Sequence, residues 1–196
     1  MTVHPFLTIL ITIQLLISCT PNSSSAEEEV LFTEGTENWM IGGTSTWAFN
    51  GLELVGKSDS GSGFVMTNKV YGDFELTLEF KPDSTVNSGV FLRCKEQELS
   101  ADDCYEINIW DLHPNQDYRT GAIVKRSTPA AIVETLNKWN KYQIKVQGNQ
   151  IQVTINGIET ANMTDDDLIQ GYIGLQAAGL GEIRFRNVKV RMLRTD

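Results

Sequence analysis

Over much of its length the chain alternates apolar and polar residues with a period of two. Phe74, Leu76, Leu78 and Phe80 alternate with Glu75, Thr77 and Glu79. Tyr142, Ile144 and Val146 alternate with Gln143, Lys145 and Gln147, and Ile151, Val153 and Ile155 with Gln152, Thr154 and Asn156. Successive side chains of a strand point to opposite faces, so each run describes an antiparallel strand with one buried and one wet face. Turn signals separate the runs: Asn50-Gly51, Tyr71-Gly72-Asp73, Gly148-Asn149 and Asn156-Gly157. Ile183 and Phe185 are followed by Val188 and Val190, a change of parity that predicts a bulge near Asn187. Helical pieces fit only at 130–136 and 165–168, and both are short. The chain reads as all-β, and 196 residues suit one sandwich of two antiparallel sheets.

Composition separates the N-terminus from the rest. Hydrophobic residues make up 41% and charged residues 21%, as in a folded domain. The formal charge of −9 argues against nucleic acid as a partner, and against attraction to an anionic membrane surface. None of the charge lies in residues 1–18. Within them, residues 6–17 form a mostly apolar run that is too short to span a bilayer but suits the apolar core of a signal peptide. The run ends in Leu16-Ile17-Ser18-Cys19, which resembles the lipobox of bacterial lipoproteins. That resemblance implies a diacylglyceryl anchor on Cys19, cleavage just before it, and a place in the cell envelope, periplasmic or on the outer membrane. The segment before the apolar run departs from the pattern, with His4 but no Lys or Arg. A plain secretory signal and a retained anchor helix are the alternatives. Residues 19–29, ending in the polar stretch TPNSSSAEEE, read as a flexible tether, and a single domain is expected over 30–193. With Cys19 lipidated, Cys94 and Cys104 remain as a pair, which in an exported domain reads as a disulfide; two free thiols are the alternative.

The domain carries an ordered set of short motifs. Asn38-Trp39, Trp47 and Asn50-Gly51-Leu52-Glu53-Leu54 are followed by Tyr71-Gly72-Asp73-Phe74 and Asn87-Ser88-Gly89-Val90-Phe91-Leu92-Arg93. Tyr105-Glu106-Ile107-Asn108-Ile109, Thr120-Gly121-Ala122-Ile123, Trp139-Asn140-Lys141-Tyr142, Asn156-Gly157 and Gly174-Leu175-Gln176 complete it. Single pieces are weak signals, but the series closely resembles the bacterial 3-keto-α-glucoside-1,2-lyase/3-keto-2-hydroxy-glucal hydratase family, earlier labelled 3-keto-disaccharide hydrolase. The resemblance covers nearly all of 30–193. It implies a concanavalin A-like jelly-roll sandwich and a glucoside substrate with a ketone at carbon 3.

Candidate chemistry clusters between Arg93 and Lys125. Arg93 ends an apolar strand and is costly to bury alone, so it reads either as a rim ion pair or as a donor to a substrate oxygen. Glu106, Asn108 and Trp110 share one strand face, opposite Tyr105, Ile107 and Ile109. A carboxylate, an amide and an aromatic ring on one face suit a sugar, although an ion pair of Glu106 with Arg93 is the structural alternative. Asp111 and His113 follow in a loop, where functional residues often sit; an exposed loop histidine is the plainer reading of His113. Parity raises a difficulty, because Cys94 directly opposite Cys104 would put Arg93 on the other face from Glu106. The two share a cleft only if the disulfide lies beyond the paired region or a bulge shifts parity. Glu106, Asn108 and Asp111 also match the spacing of the E-x-D-x-x-E run of laminarinase-like glucanases, but with Asn at the centre and the shorter Asp at the end. That weakens the pair of carboxyl groups a retaining glycosidase needs.

Other features read as structural. Trp39, Trp47 and Trp139 are expected in the core, and Asp165-Asp166-Asp167 lacks the alternating spacing of a calcium loop. Lys125 and Arg126 either line the cleft or are exposed charges. No metal-ligand set is evident, and a divalent cofactor stays open. The resemblance implies a reaction that begins with removal of the C2 proton beside the C3 ketone, followed by loss of the glycosidic group on C1. Glu106 or His113 is the expected base and Arg93 the contact to the enolate. Asn108, Asp111, Trp110 and Lys125 are expected to bind the sugar. A lectin-like module without catalysis is the alternative from another class, since the same sandwich serves both.

Overall fold

The computed structural model describes residue 1 and residues 28–31 and 39–193. Cys19, residues 2–18 and most of the tether lie outside the described residues. The strands in chain order are β1 Glu28–Val30, β2 Trp39–Gly43, β3 Thr46–Phe49, β4 Leu54–Ser58, β5 Ser62–Thr67 and β6 Phe74–Pro82. They continue as β7 Val86–Cys94, β8 Tyr105–Ile109, β9 Asn140–Gln147, β10 Gln150–Ile155, β11 Ile158–Thr164, β12 Tyr172–Gly179 and β13 Gly181–Met192. One antiparallel sheet runs β11-β10-β9-β6-β13-β4-β3, with β1 also paired to β13. The other runs β2-β5-β12-β7-β8. Glu28 and Glu29, read from sequence as tether, are therefore already part of the sheet.

The alternating residues behave as their period requires. Phe74, Leu76, Leu78, Phe80, Tyr142, Ile144, Val146, Ile151 and Val153 line the inner face of the larger sheet. They meet Val65, Val90, Leu92, Tyr105, Ile107, Ile109, Ile173 and Leu175 from the smaller sheet. The parity change in β13 is a bulge: Arg186 faces Glu79 and Lys189 faces Thr77, with Asn187 at φ 52° between them. The extra residue lets Phe185 and Val188 both reach the core. Asn156 and Gly157, both at positive φ, close the β10–β11 hairpin in the turn whose twist matches the strands.

Neither expected helical piece forms. The backbone at 130–136 bonds elsewhere: Ala130 N–H donates to Thr160 at 2.7 Å and Thr135 N–H to Asp111 at 2.6 Å. At 165–168 the Asp165 carboxylate accepts from Tyr105 and Arg126, which holds the segment as an irregular loop. The helix among the described residues is one 3₁₀ turn, Gln116–Tyr118, capped by Asn115. Trp39 is buried, and Trp47 packs on Phe185 at the core edge. Trp139 departs from the core expectation, because it lies half-buried under the Arg186 guanidinium, 4.0 Å from its ring centre.

Strand β7 ends in the feature that settles the parity question. Phe91 pairs with Gly174 and Cys94 with Tyr172, so β7 carries one residue more than β12 over this stretch. Arg93 sits in the bulge at φ 50°. Its side chain turns inward and is 1% exposed, while Cys94 turns outward to bond Cys104 with the Cα atoms 4.2 Å apart. The guanidinium donates to the carbonyls of Gly72, Gly148 and Leu168 and to Asp73 Oδ1, at 2.8–3.0 Å. A buried cation without such partners would cost several kcal/mol. Arg93→Met leaves Asp73 with only the Gly148 N–H as donor and takes the guanidinium from three carbonyls, and is expected to destabilise the domain by about 3–5 kcal/mol. Thermal unfolding of the variant checks this, and a midpoint equal to that of the parent protein is the contrary result.

Candidate active site

Glu106, the second residue of β8, projects onto the outer face of the smaller sheet. In the register Phe91↔Glu106 and Gly89↔Asn108, the phenyl ring and the bare Gly89 backbone flank its stem. A Cβ placed on Gly89 would lie 3.4 Å from Glu106 Cγ and 3.1 Å from the Phe91 ring, so glycine is what lets the carboxyl stem lie close to the sheet. The carboxyl takes no hydrogen bond from the described residues. Burial disfavours its charge more than the nearby Lys125 ammonium favours it, and its pKa is pushed up to about 7.

Lys125 reaches this face from a tight turn on the edge of β8. Val124 N–H donates to Glu106 O at 2.9 Å, and the Ile123–Ser127 bridge closes the turn with Lys125 at φ 64°. Its ammonium bonds both oxygens of Asp102 at 2.9 and 3.0 Å. Asp102 holds it above the usual lysine range, with smaller contributions from Tyr118 and Glu106. Asp102 belongs to the loop that the Cys94–Cys104 disulfide closes. Beyond Tyr118 the aromatic contacts continue. The His113 ring lies edge-on to Tyr118 at 5.7 Å and to Trp110 at 4.5 Å between centroids. His113 Nδ1 lies 2.7 Å from Asn115 O and 3.0 Å from Asn115 N, and Nε2 has no bond to the described residues.

The structure thus brings Glu106, Lys125, His113 and Trp110 into one chain of neighbours and leaves three expected residues out of it. Arg93 is corrected from a substrate contact to a core cation, because the β7 bulge turns it to the opposite side of the sheet. Asp111 is corrected from sugar binding to a structural role: it is 3% exposed and accepts from Thr135 N–H and Oγ1 at 2.6 and 2.8 Å. Asn108 shares the face of Glu106, but its amide donates to Tyr118 O and its oxygen accepts from Ile109 N–H. It pins the Tyr118 segment against β8 and has little capacity left for a sugar. Sequence reasoning missed Tyr118, Asp102 and Phe91. Only Phe91 had a signal, its β7 parity, and pairing opposite Glu106 could not be read without the register. Among the described residues no group of three or more His, Cys, Asp or Glu side chains is placed to hold a metal ion.

Fold and site together define a lectin-like jelly-roll sandwich of the kind that handles carbohydrate. The chain belongs to the 3-keto-alpha-glucoside-1,2-lyase-like domain family, whose model matches residues 27–191. A "putative glycosyl hydrolase" from Parabacteroides distasonis ATCC 8503 is 27% identical with a TM-score of 0.72, over 85% of this chain and all of the other. The carbohydrate-binding module CBM66 of Bacillus subtilis superposes with a TM-score of 0.58 at 17% identity, over 79% of this chain and 95% of the module. A galectin-like protein of unknown function from Bacillus subtilis gives 0.58 at 13% identity, over 85% and 94%. These last two show the shared fold. No curated protein matches the chain.

The raised Glu106 pKa carries a stability signature. Between the usual value of 4.5 and about 7 the folded state holds a proton that the unfolded state has released. This contribution to stability is complete below 4.5 and is lost as pH rises through 7. Relative to the parent protein, Glu106→Gln is expected to gain stability progressively over that window. Unfolding midpoints of both proteins from pH 4 to 8 test it; parallel curves contradict the assignment.

Proposed function

We propose that this chain is an exported enzyme that cleaves 3-keto-glucosides by β-elimination and hydrates the resulting 3-keto-2-hydroxy-glucal. The observation that carries the reading is Glu106, a single carboxyl poised near neutral pH on a sheet face with aromatic neighbours and one adjacent cation. A general base works best when its pKa lies near the working pH. The Glu106 carboxylate takes the C2 proton, and the electron pair moves into the C2–C3 enolate. The Lys125 ammonium, the cation nearest Glu106 in this cluster, replaces Arg93 as the group that steadies charge on the C3 oxygen. The enolate then expels the C1 substituent, and the leaving oxygen takes a proton from His113 Nε2. Addition of water across the C1–C2 double bond, hydroxyl to C1 and proton to C2, completes the net hydrolysis. A divalent metal stays open as a further contact to the ketone.

A retaining glycosidase needs two carboxyl groups about 5–5.5 Å apart. Asp111 is held by Thr135 and position 108 is an amide, so that reading loses its second group. A binding module needs no carboxyl near neutrality, whereas elimination does. Export on a Cys19 lipid anchor belongs to the same proposal, and the Cys94–Cys104 disulfide supports the oxidising compartment it requires.

The mature domain is expected to convert a 3-keto-glucoside to its aglycone and 3-keto sugar, with deuterium from D2O entering at C2. Glu106→Gln is expected to slow turnover by about 10²–10⁴-fold. Unmodified sugars that bind while 3-keto-glucosides go unconsumed would falsify the enzyme reading in favour of the module. Cys19→Ser is expected to shift the protein from the membrane fraction to the soluble fraction; an unchanged distribution rules out the anchor.

A further inference from the structure

The outer face of the smaller sheet extends well past Glu106. One cross-strand row runs Glu106–Phe91–Gly174–Met66–Met40 across all five strands. The row beside it runs Asn108–Gly89, then Gln176, Phe64 and Gly42, since Leu175↔Val90 and Ala178↔Asn87 set Gln176 opposite Gly89. At the far end, β2, β5 and the disulfide loop border an open groove of about 510 Å³, lined among others by Met40, Phe64, Leu99, Ser62, Gln97 and Glu98.

Two glycines shape this groove. A Cβ on Gly42 would lie 2.4–2.9 Å from the Phe64 ring, so the ring rests across bare backbone and its other side is left towards the groove. A Cβ on Gly174 would lie 3.0 Å from both Leu99 and Met66, so the disulfide loop comes down on the sheet there through Leu99. Phe64 is half-buried, unlike Met66 and Phe91, which Leu99 and its neighbours cover. Between Phe64 and Glu106 stands Gln176, whose buried Oε1 has no hydrogen-bond partner.

We infer that this groove is the aglycone site, and that the preferred substrates are glucosides whose aglycone is largely apolar, planar and at least two rings long. The inference rests on the proposed reaction, which puts the oxidised sugar at Glu106. Phe64 is three strand spacings across the sheet and two residues along it from Glu106, about 16 Å in all. A methyl or single-ring aglycone on that sugar stops short of Phe64; a second ring brings a flat apolar surface to it. Met40, Phe64 and Leu99 give a second ring an apolar surface to rest on, while Ser62, Gln97 and Glu98 form the polar side of the groove.

The test compares 3-keto-glucosides of phenol and 4-phenylphenol, whose leaving oxygens are similarly acidic, so that reach and not chemistry separates them. The parent protein is expected to show a KM at least tenfold lower for the biphenyl substrate with similar kcat. Phe64→Ala is expected to abolish that preference and leave the phenyl substrate unchanged. Phe64→Leu keeps apolar bulk, guards against misfolding, and is expected to lose most of the preference through loss of the flat ring. Equal KM values in the parent protein, or a preference that survives both substitutions, overturns the inference. If neither substrate reacts, the proposed reaction fails separately. Calorimetric titration with the unoxidised biphenyl and phenyl glucosides then reads the groove: tighter, Phe64-dependent binding of the biphenyl glucoside sustains it, and equal binding overturns it.

Discussion

The organisation of this molecule depends on one reversal of backbone parity. At φ 50°, Arg93 breaks the alternation of β7 and exchanges the destinations of two side chains. The guanidinium goes inward, where it joins the start of β6, the β9–β10 turn and the 168 loop through three carbonyls and Asp73. The thiol goes outward, where its bond to Cys104 closes residues 95–103 into a loop on the Glu106 side of the sheet. An unbroken strand would put a cysteine in the core and an unpartnered arginine beside Glu106. That arginine would hold the carboxyl ionised and lower its pKa, the reverse of what a base working near neutrality requires. Stability of the sandwich and the raised pKa of Glu106 therefore have a common origin in the same residue.

The loop closed in this way shapes the site on two fronts. Asp102 holds the Lys125 ammonium, and Leu99 covers Met66 and Phe91. The first keeps a positive charge near Glu106 without a direct contact, so the carboxyl is biased towards ionisation and yet not captured by it. The second closes the apolar cluster that contains Phe91, the cross-strand partner of Glu106, and burial of that carboxyl raises its pKa. A base that is both desolvated and near a cation is reactive when ionised and readily protonated, a combination that an intimate ion pair would destroy.

Much of the fold was legible because its governing signal is local. Alternation in β6, β9 and β10 fixes which face of each strand is buried, and the mismatch between Phe185 and Val188 locates the β13 bulge in the sequence itself. The β7 bulge is only hinted at by the parity conflict of the Cys94–Cys104 pair, since Val90, Leu92 and Cys94 read as a regular inner face with Arg93 opposite them. Its cause is distant: the carbonyls that receive the guanidinium belong to residues 72, 148 and 168. The same limit applies to the site. Glu106 and Trp110 follow from parity along one strand, and Lys125 from its place after an apolar run. The engagement of Asp111 by Thr135 is a contact across 24 residues, invisible to any reading of spacing, and it removes the second carboxyl that the glucanase-like pattern suggested.

That loss bears on why one scaffold serves both recognition and catalysis. Binding a sugar calls for stacking surfaces and satisfied polar groups, and every such group adds solvation to the face. Abstracting a proton calls for the opposite, one acidic group kept short of partners. On this sheet Asn108 and Asp111, the residues best suited to hydrogen-bond hydroxyls, are committed to the protein itself, while Glu106 is left without a hydrogen bond among the described residues. Polar satisfaction is concentrated where it stabilises loops and withheld at Glu106, where the proposed reaction moves a proton. A lectin built on the same strands has reason to do the reverse, so the distribution of unsatisfied charge, more than the fold, separates the two functions.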